Sequence, residues 1–425
     1  MESGEYGVAD KLIALRYMTR FRCLGARCED HCCRDWNVFL DEASYQRLHI
    51  ATSQSSELRQ KLENGLVRTA TKGSFATLRA GSDGNCAFLE EGLCALHRDL
   101  GEASLPGTCA TYPRSVAHIG SRCELSGSLS CPEVARLCLC EPDAMEWSQV
   151  DWEILPETCL VTRQVAPGDG DYSRFFDQVR DAVSQLLSSP DYPLEDRLFF
   201  VAHLASRLGP VFHRNAGADA CTTLEASLAR MRDPLWLAEL SRQFRGLDVS
   251  TPVALRIVLE TVRWSLREQG RVRYRALCSQ VSRTYGLELS ELLNESERIS
   301  DEYARRREMA QKRFGHRLNQ YFSNYALNYW FREPYTQSAD LLAHTRSLVV
   351  RIAMIKFLLF NHPDLRAHLE NDMSDTDALD RIAVEVVQTF ERNVGHDTEL
   401  RERIQTRLTS EDASDLPQLI CLIGL

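Results

Sequence analysis

No apolar run in the 425-residue sequence reaches the ~18–20 residues that a membrane span needs. The best candidate, Ser347 to Phe360, is interrupted by Arg351 and Lys356 and reads as a buried helix. Basic excess is also absent. Fifty Lys and Arg stand against 60 Asp and Glu, a formal charge of −10, so the footprint of a nucleic-acid binder is missing. The opening MESGEYGVADKLIALRYMTR has no basic start, apolar core or small-residue cleavage site, so no secretory signal is visible. A cytoplasmic, reducing location is the expectation, and disulfides are disfavoured there. No Gly-x-Gly-x-x-Gly loop follows a strand pattern, which leaves the common Rossmann-type cofactor site unseen. Internal repeats and low-complexity tracts are lacking as well. With 44% hydrophobic and 26% charged residues, wholesale disorder is excluded, and the length suggests two or three domains.

Cysteine is the residue in surplus. Eleven of 15 lie in the first 140 residues, where an even spread would put about five. In a reducing compartment such density points to metal before staples. One cluster is Cys23-x4-Cys28-x3-Cys32-Cys33, and a second is Cys86-x7-Cys94-x14-Cys109, followed by Cys131. Short spacing brings two thiolates to one ion without long loop closure, and a distant pair can close the other side. Adjacent Cys32 and Cys33 are expected to point in different directions, which suits a multi-cornered cluster better than one tetrahedral ion. Four thiolates are the usual requirement for an iron–sulfur cluster, and zinc suits the same ligands. Position 35 is Asp, so the Cys-x3-Cys-x2-Cys loop of radical enzymes is not formed. Cys159, Cys221, Cys278 and Cys421 stand alone and read as small buried hydrophobes.

The expected fold is mainly α. Residues 1–145 are expected to form a cysteine-rich metal-binding module of short helices and loops, residues 146–171 a linker around Val165–Gly170, and residues 172–425 an all-helical domain that serves as the substrate-binding part. Apolar residues at three- and four-residue spacing mark helices at 172–189, 194–208, 252–269 and 345–360. The clearest runs from about Ser300 to Phe331 and stops before Pro334. Its stripe ends in an aromatic patch, Tyr325, Tyr329 and Trp330, which reads either as core or as a groove for a partner. Arg305-Arg306-Arg307 reads as a solvated face.

Arg16-Tyr17-Met18, Phe21-Arg22-Cys23, Cys28-Glu29-Asp30-His31-Cys32-Cys33 and Asp35-Trp36 resemble the opening of the flagellin lysine-N-methylases (FliB-type). These belong to a wider family of cysteine-rich zinc- or iron-chelating domains. Cys86-Ala87-Phe88-Leu89, Cys109-Ala110-Thr111-Tyr112-Pro113-Arg114 and Ser128-Leu129-Ser130-Cys131-Pro132-Glu133 resemble that family's later metal-binding segment. Asn324-Tyr325 to Phe331-Arg332 resembles the methylase subgroup. The resemblance implies a cytoplasmic enzyme that transfers methyl groups from S-adenosylmethionine to surface lysines of flagellin, with a 4Fe–4S cluster. By position it matches Cys23, Cys28, Cys32, Cys33, Cys86, Cys94, Cys109 and Cys131 to family cysteines; Cys28, Cys32, Cys94 and Cys109 rank first as ligands. The alternative is a non-catalytic zinc or iron–sulfur protein that serves interaction or redox sensing.

Methyl transfer to nitrogen needs a neutral amine, and deprotonating a free lysine at pH 7 costs roughly 4.6 kcal/mol. Desolvation or a nearby base reduces that cost. His31, Tyr112, Asp30 and Asp35 adjoin cluster cysteines and are candidate bases, each with a plainer role as loop or capping residue. Arg114 is a candidate for the carboxylate of the methyl donor, or for a surface salt bridge.

Overall fold

The computed structural model describes residues 9–34, 36–71, 74–165, 175–213, 218–266, 272–338, 340–395 and 415–425. They fall into two units: one holds the described residues up to Leu137 with Asp143–Gln164, the other Cys138–Pro142 and those from Val165 to Leu425.

The cysteine-rich unit contains more β-structure than the sequence suggested. Its strands are β1 (Lys11–Leu15), β2 (Val38–Leu40), β3 (Leu66–Thr71), β4 (Ser74–Leu78), β5 (Leu89–Glu90), β6 (Leu93–Cys94), β7 (Arg114–Ile119), β8 (Arg122–Gly127), β9 (Trp147–Val150) and β10 (Arg163–Val165). A five-stranded sheet runs β10-β7-β8-β1-β9, with β1 parallel to β8 and antiparallel to β9. Gly120, at φ 57°, makes the two-residue turn of the β7–β8 hairpin, where a side chain would be strained. The module expected from short helices and loops alone is therefore α+β. Strands this short give periodicity too little length to register. Of the expected linker, residues 146–165 include β9 and β10 of this sheet, and residues 166–171 lie outside the described part.

Helices α1 (Arg16–Arg20), α2 (Glu42–Thr52), α3 (Ser56–Gly65), α4 (Ala95–Leu100), α5 (Gly107–Thr111) and α6 (Pro132–Cys140) complete this part of the chain. Buried Tyr17 of α1 accepts the Gly127 N–H at 2.6 Å, which ties α1 to the end of β8. A second sheet, β2-β4-β3, shares a core with α2 and α3, built from Leu40, Leu48, Leu62, Ala76, Leu78 and Phe88. Cys86, Cys94 and Cys109 pack against that core, so it forms a wall behind the second cysteine cluster.

The second unit is helical: α7 (Phe176–Ser188), α8 (Leu194–His213), α9 (Ala218–Met231), α10 (Pro234–Arg245), α11 (Thr251–Ser265), α12 (Val272–Arg283), α13 (Leu289–Leu292), α14 (Ser296–Arg332), α15 (Leu341–Phe360), α16 (Pro363–Glu370), α17 (Thr376–Val394) and α18 (Asp415–Ile423). Local chemistry starts several of them. Asp233, Ser250, Asp340 and Asp375 each accept a first-turn N–H, and Pro234 and Pro252 occupy first-turn positions. Helix α15 is buried all round because α8, α14, α17 and α18 pack on it, as expected for the Ser347–Phe360 run. No described helix is long and apolar enough to cross a membrane.

Of the two readings of the α14 aromatic patch, the structure favours core over groove: Tyr325, Tyr329 and Trp330 are 2%, 8% and 2% exposed. Tyr325 donates to Glu391 Oε1 at 2.6 Å, Arg351 sits 5.5 Å from the Tyr329 ring centre, and Trp330 stacks on Tyr335. Arg305–Arg307 is not the single solvated face expected. Arg306 is buried, donates to Thr284 Oγ1 and Asn361 Oδ1, and lies over the Tyr285 ring. The helix turns 100° per residue, so neighbours in a charge run face different surroundings. It is also kinked at Phe314 (φ −123°, ψ 17°), beside Gly315, a residue of low helix propensity.

Candidate metal centre

The first cysteine cluster lies on nearly irregular backbone. Cys23 and Cys28 flank a single 3-10 turn, Gly25–Arg27, and Cys32 and Cys33 sit in a turn before the Arg34–Asn85 bridge. The second cluster is placed by regular elements. Cys94 ends β6 opposite Leu89 and precedes α4, Cys109 lies within α5, and Cys131 immediately precedes α6. A backbone bond joins the clusters, with the Cys86 N–H donating to the Cys33 carbonyl at 2.8 Å.

All eight of these cysteines line one cavity of about 140 Å³. Phe21, Leu24, Val38, Leu78, Phe88, Leu96 and Leu105 supply much of the rest of its wall. The Cys33 thiol hydrogen-bonds to both Cys32 and Cys94, which raises its pKa strongly. Adjacent Cys32 and Cys33 therefore turn toward each other, contrary to the sequence argument, because the tight turn before Arg34 is not an extended strand whose side chains must alternate. By accepting from Cys33, Cys94 is held at about 6; backbone N–H groups of His97 and Leu96 act in the same direction. Burial pushes the Cys28, Cys86 and Cys109 thiols up, and takes Cys131 to about 12.

This donor set fits a soft, positively charged centre. Thiols clustered against an apolar core can ionise together only with a cation among them, and thiolates prefer zinc or iron–sulfur. The thiols line the walls without converging: among the described residues, no three His, Cys, Asp or Glu side chains stand in metal-holding geometry. All 15 cysteines are free thiols. Cys123, Cys138, Cys159, Cys278 and Cys421 are buried, and Cys140 and Cys221 are half-buried; none of these seven lines the cavity.

The other candidates separate. Asp30, 6% exposed, and Tyr112 both line the cavity. Tyr112 Oη lies 3.1 Å from Ser130 Oγ, and its ring is 5.8 Å from that of Trp36. His31 packs over Gly92 and is not part of the lining. Asp35 falls outside the described residues. Arg114 lines the cavity, donates to the Ala110 carbonyl at 3.2 Å and covers the Phe21 ring, and it makes no salt bridge among the described residues. Sequence reasoning passed over His97 and Glu102, both in the lining. The Cys94-x2-His97 spacing carried a signal for His97, and nothing local marked Glu102.

An α+β module that gathers two cysteine clusters on one cavity, joined in one chain to a helical unit, defines a cysteine-rich protein with a candidate metal-dependent site. Residues 180–422 match the family described as the FliB lysine N-methylase C-terminal domain. The chain belongs to the FliB lysine N-methylase family. It is 32% identical over 136 residues to a lysine-N-methylase of Salmonella typhimurium, an alignment covering 31% of this chain and 33% of the relative. A flagellar biosynthetic protein, FliU, of Salmonella muenchen is 31% identical over 131 residues, covering 30% of this chain and 77% of the relative. The chain thus spans about a third of the lysine-N-methylase it matches. No solved structure matches.

Proposed function

We propose that this protein is a protein-lysine N-methyltransferase that uses S-adenosylmethionine, acts on surface lysines of flagellin, and depends on an iron–sulfur cluster held in the thiol-lined cavity. The observation that carries the reading is the meeting of both cysteine clusters on one cavity, in a chain whose relatives are named lysine-N-methylases. Cys28, Cys32, Cys94 and Cys109 are the proposed ligands, with Cys33 added because its thiol contacts both Cys32 and Cys94. Bound there, a cluster supplies redox-active iron and the positive charge that keeps thiolates ionised. Fifteen free thiols accord with a reducing, cytoplasmic setting.

The transfer itself is a displacement. The neutral lysine nitrogen forms a bond to the methyl carbon as the carbon–sulfur bond of the sulfonium breaks, and the methylated ammonium then releases a proton. The chain must favour the neutral amine and take that proton. Asp30 and Tyr112, at the cavity wall, are the proposed groups for holding it. The apolar wall disfavours a charged ammonium and so offsets part of the roughly 4.6 kcal/mol cost of deprotonation.

Anaerobically purified protein, incubated with methyl-labelled S-adenosylmethionine and flagellin, tests this reading. Label on flagellin lysines together with iron and acid-labile sulfide is expected. Stoichiometric zinc without iron would overturn the cluster, and no label transfer from iron-replete protein would overturn the enzyme.

A further inference from the structure

The Cys33 thiol touches two other thiols of the cavity, Cys32 and Cys94. Cys28 instead donates to the Asp30 carbonyl at 3.4 Å. The Cys33–Cys94 contact joins residues far apart in the chain, and backbone bonds hold it from both sides. The Cys33 carbonyl accepts the Cys86 N–H at 2.8 Å, and Arg34 beside it bridges to Asn85. The Phe88 carbonyl accepts the Ala95 N–H at 2.8 Å, and Leu89 pairs with Cys94 across β5 and β6. The short segment from Asn85 to Leu89 thus grips both cysteines.

Two sulfurs already in hydrogen-bond contact need little movement to become bonded. Cys32 is the poorer partner for Cys33, because neighbouring Cα atoms stand ~3.8 Å apart and an unstrained disulfide spans about 4.4–6.8 Å. Cys33 and Cys94 are both half-buried rather than sealed. The cavity they line, about 140 Å³, has room for a small oxidant.

We propose that Cys33 and Cys94 are a peroxide-sensitive pair that closes reversibly to a disulfide. The Cys94 sulfur attacks one oxygen of hydrogen peroxide as the O–O bond breaks. The departing oxygen takes up the thiol proton and leaves as water, and Cys94 becomes a sulfenic acid. The Cys33 sulfur then displaces the sulfenic hydroxyl, which leaves as water with the Cys33 proton. Each sulfur has lost one electron and each peroxide oxygen has gained one. A dithiol reductant reopens the bond by exchange. Closure withdraws two sulfurs of the cavity from metal binding. The inference does not rest on the methyl-transfer reading, and label transfer to flagellin has no bearing on the crosslink.

Peptide mapping of the full chain tests the pair. Protein prepared under reductant and freed of metal by a chelator is treated with hydrogen peroxide, once folded and once in urea, and its remaining thiols are alkylated before digestion. In the folded chain a Cys33–Cys94 crosslink should predominate and should be lost on treatment with dithiothreitol. In urea the contact is gone, and crosslinks should scatter over the cysteines. Cys94→Ser should abolish linkage of Cys33 to the second cysteine cluster, whereas Cys28→Ser should leave the Cys33–Cys94 link in place. A folded chain whose Cys33 and Cys94 stay reduced, or one that shows the same scatter as the urea sample, would overturn the proposal.

Discussion

Removing Glu391 should weaken the helical unit strongly. Its Oε1 accepts from Arg351 Nη1 at 2.9 Å and from Tyr325 Oη at 2.6 Å, and Arg332 Nη1 lies 3.9 Å from Oε2. Arg351 and Glu391 are each 3% exposed, so water cannot replace either partner. Glu391→Ala leaves a buried guanidinium uncompensated, which costs about 3–5 kcal/mol. Gln at this position keeps one acceptor and should recover only about 1 kcal/mol of that. Removing Glu391 with its two hydrogen-bond donors in a triple variant, Glu391→Leu with Arg351→Met and Tyr325→Phe, should return stability to within about 1–2 kcal/mol of the parent, because the one charge left, Arg332, keeps Glu333 at 3.4 Å. Scanning calorimetry of the full chain reads these as shifts of the helical-unit transition, on the order of 10 °C for the Ala variant. A loss below about 1 kcal/mol in Glu391→Ala, or a triple variant as unstable as the single one, would refute the reasoning.

The thiols should divide by position. Ala at Cys28, Cys32, Cys33, Cys94 or Cys109 should lose iron and sulfide, whereas Ala at Cys221, Cys278 or Cys421 should keep both, as measured by metal and sulfide analysis of anaerobic preparations. Gly127→Ala should destabilise the cysteine-rich unit by about 1–3 kcal/mol in urea unfolding, an overpacking cost, because the new Cβ would come within 2.6 Å of Met18 Sδ and 2.7 Å of Val134 Cγ1. Hydrogen bonds from Arg20 and Arg16 hold Asp143 down at about 2 against an ordinary 3.8. Its contribution is therefore present above pH ~4 and lost as pH falls through about 2. The pair is near the surface, so the gap in melting temperature between parent and Asp143→Asn should be small at pH 7 and should close toward pH 2.

The chemistry was more legible in the sequence than the scaffold. Cysteine spacing alone drew out eight residues that share one cavity, since thiols crowded into a short stretch have few other uses in a reducing setting. The direction of adjacent side chains was not legible. Cys32 and Cys33 turn together because of a local turn, and spacing does not encode backbone angles. Helices α14 and α15 announced themselves through long periodic runs, whereas strands of two to six residues could not. The aromatic stripe showed which face Tyr325 and Tyr329 share, but its covering depends on Arg351 and Glu391, which are distant in sequence.

The parallel pairing of β1 with β8 also governs when the molecule can assemble. Lys11–Leu15 is synthesised before both of its neighbours in the sheet, Arg122–Leu125 and Trp147–Val150, each of which follows it by more than 100 residues. Seven of the eight cavity cysteines are synthesised in the interval. Until Leu125 emerges, Leu12, Ile13 and Ala14 have no flanking strand, and until Val150 emerges they have only one; such long-range pairings form slowly. A nascent or truncated chain ending near Cys109 thus carries most of the thiols without the sheet beside them. It would expose a sticky strand and reactive sulfur together, so the growing polypeptide needs protection from aggregation and oxidation over the same interval.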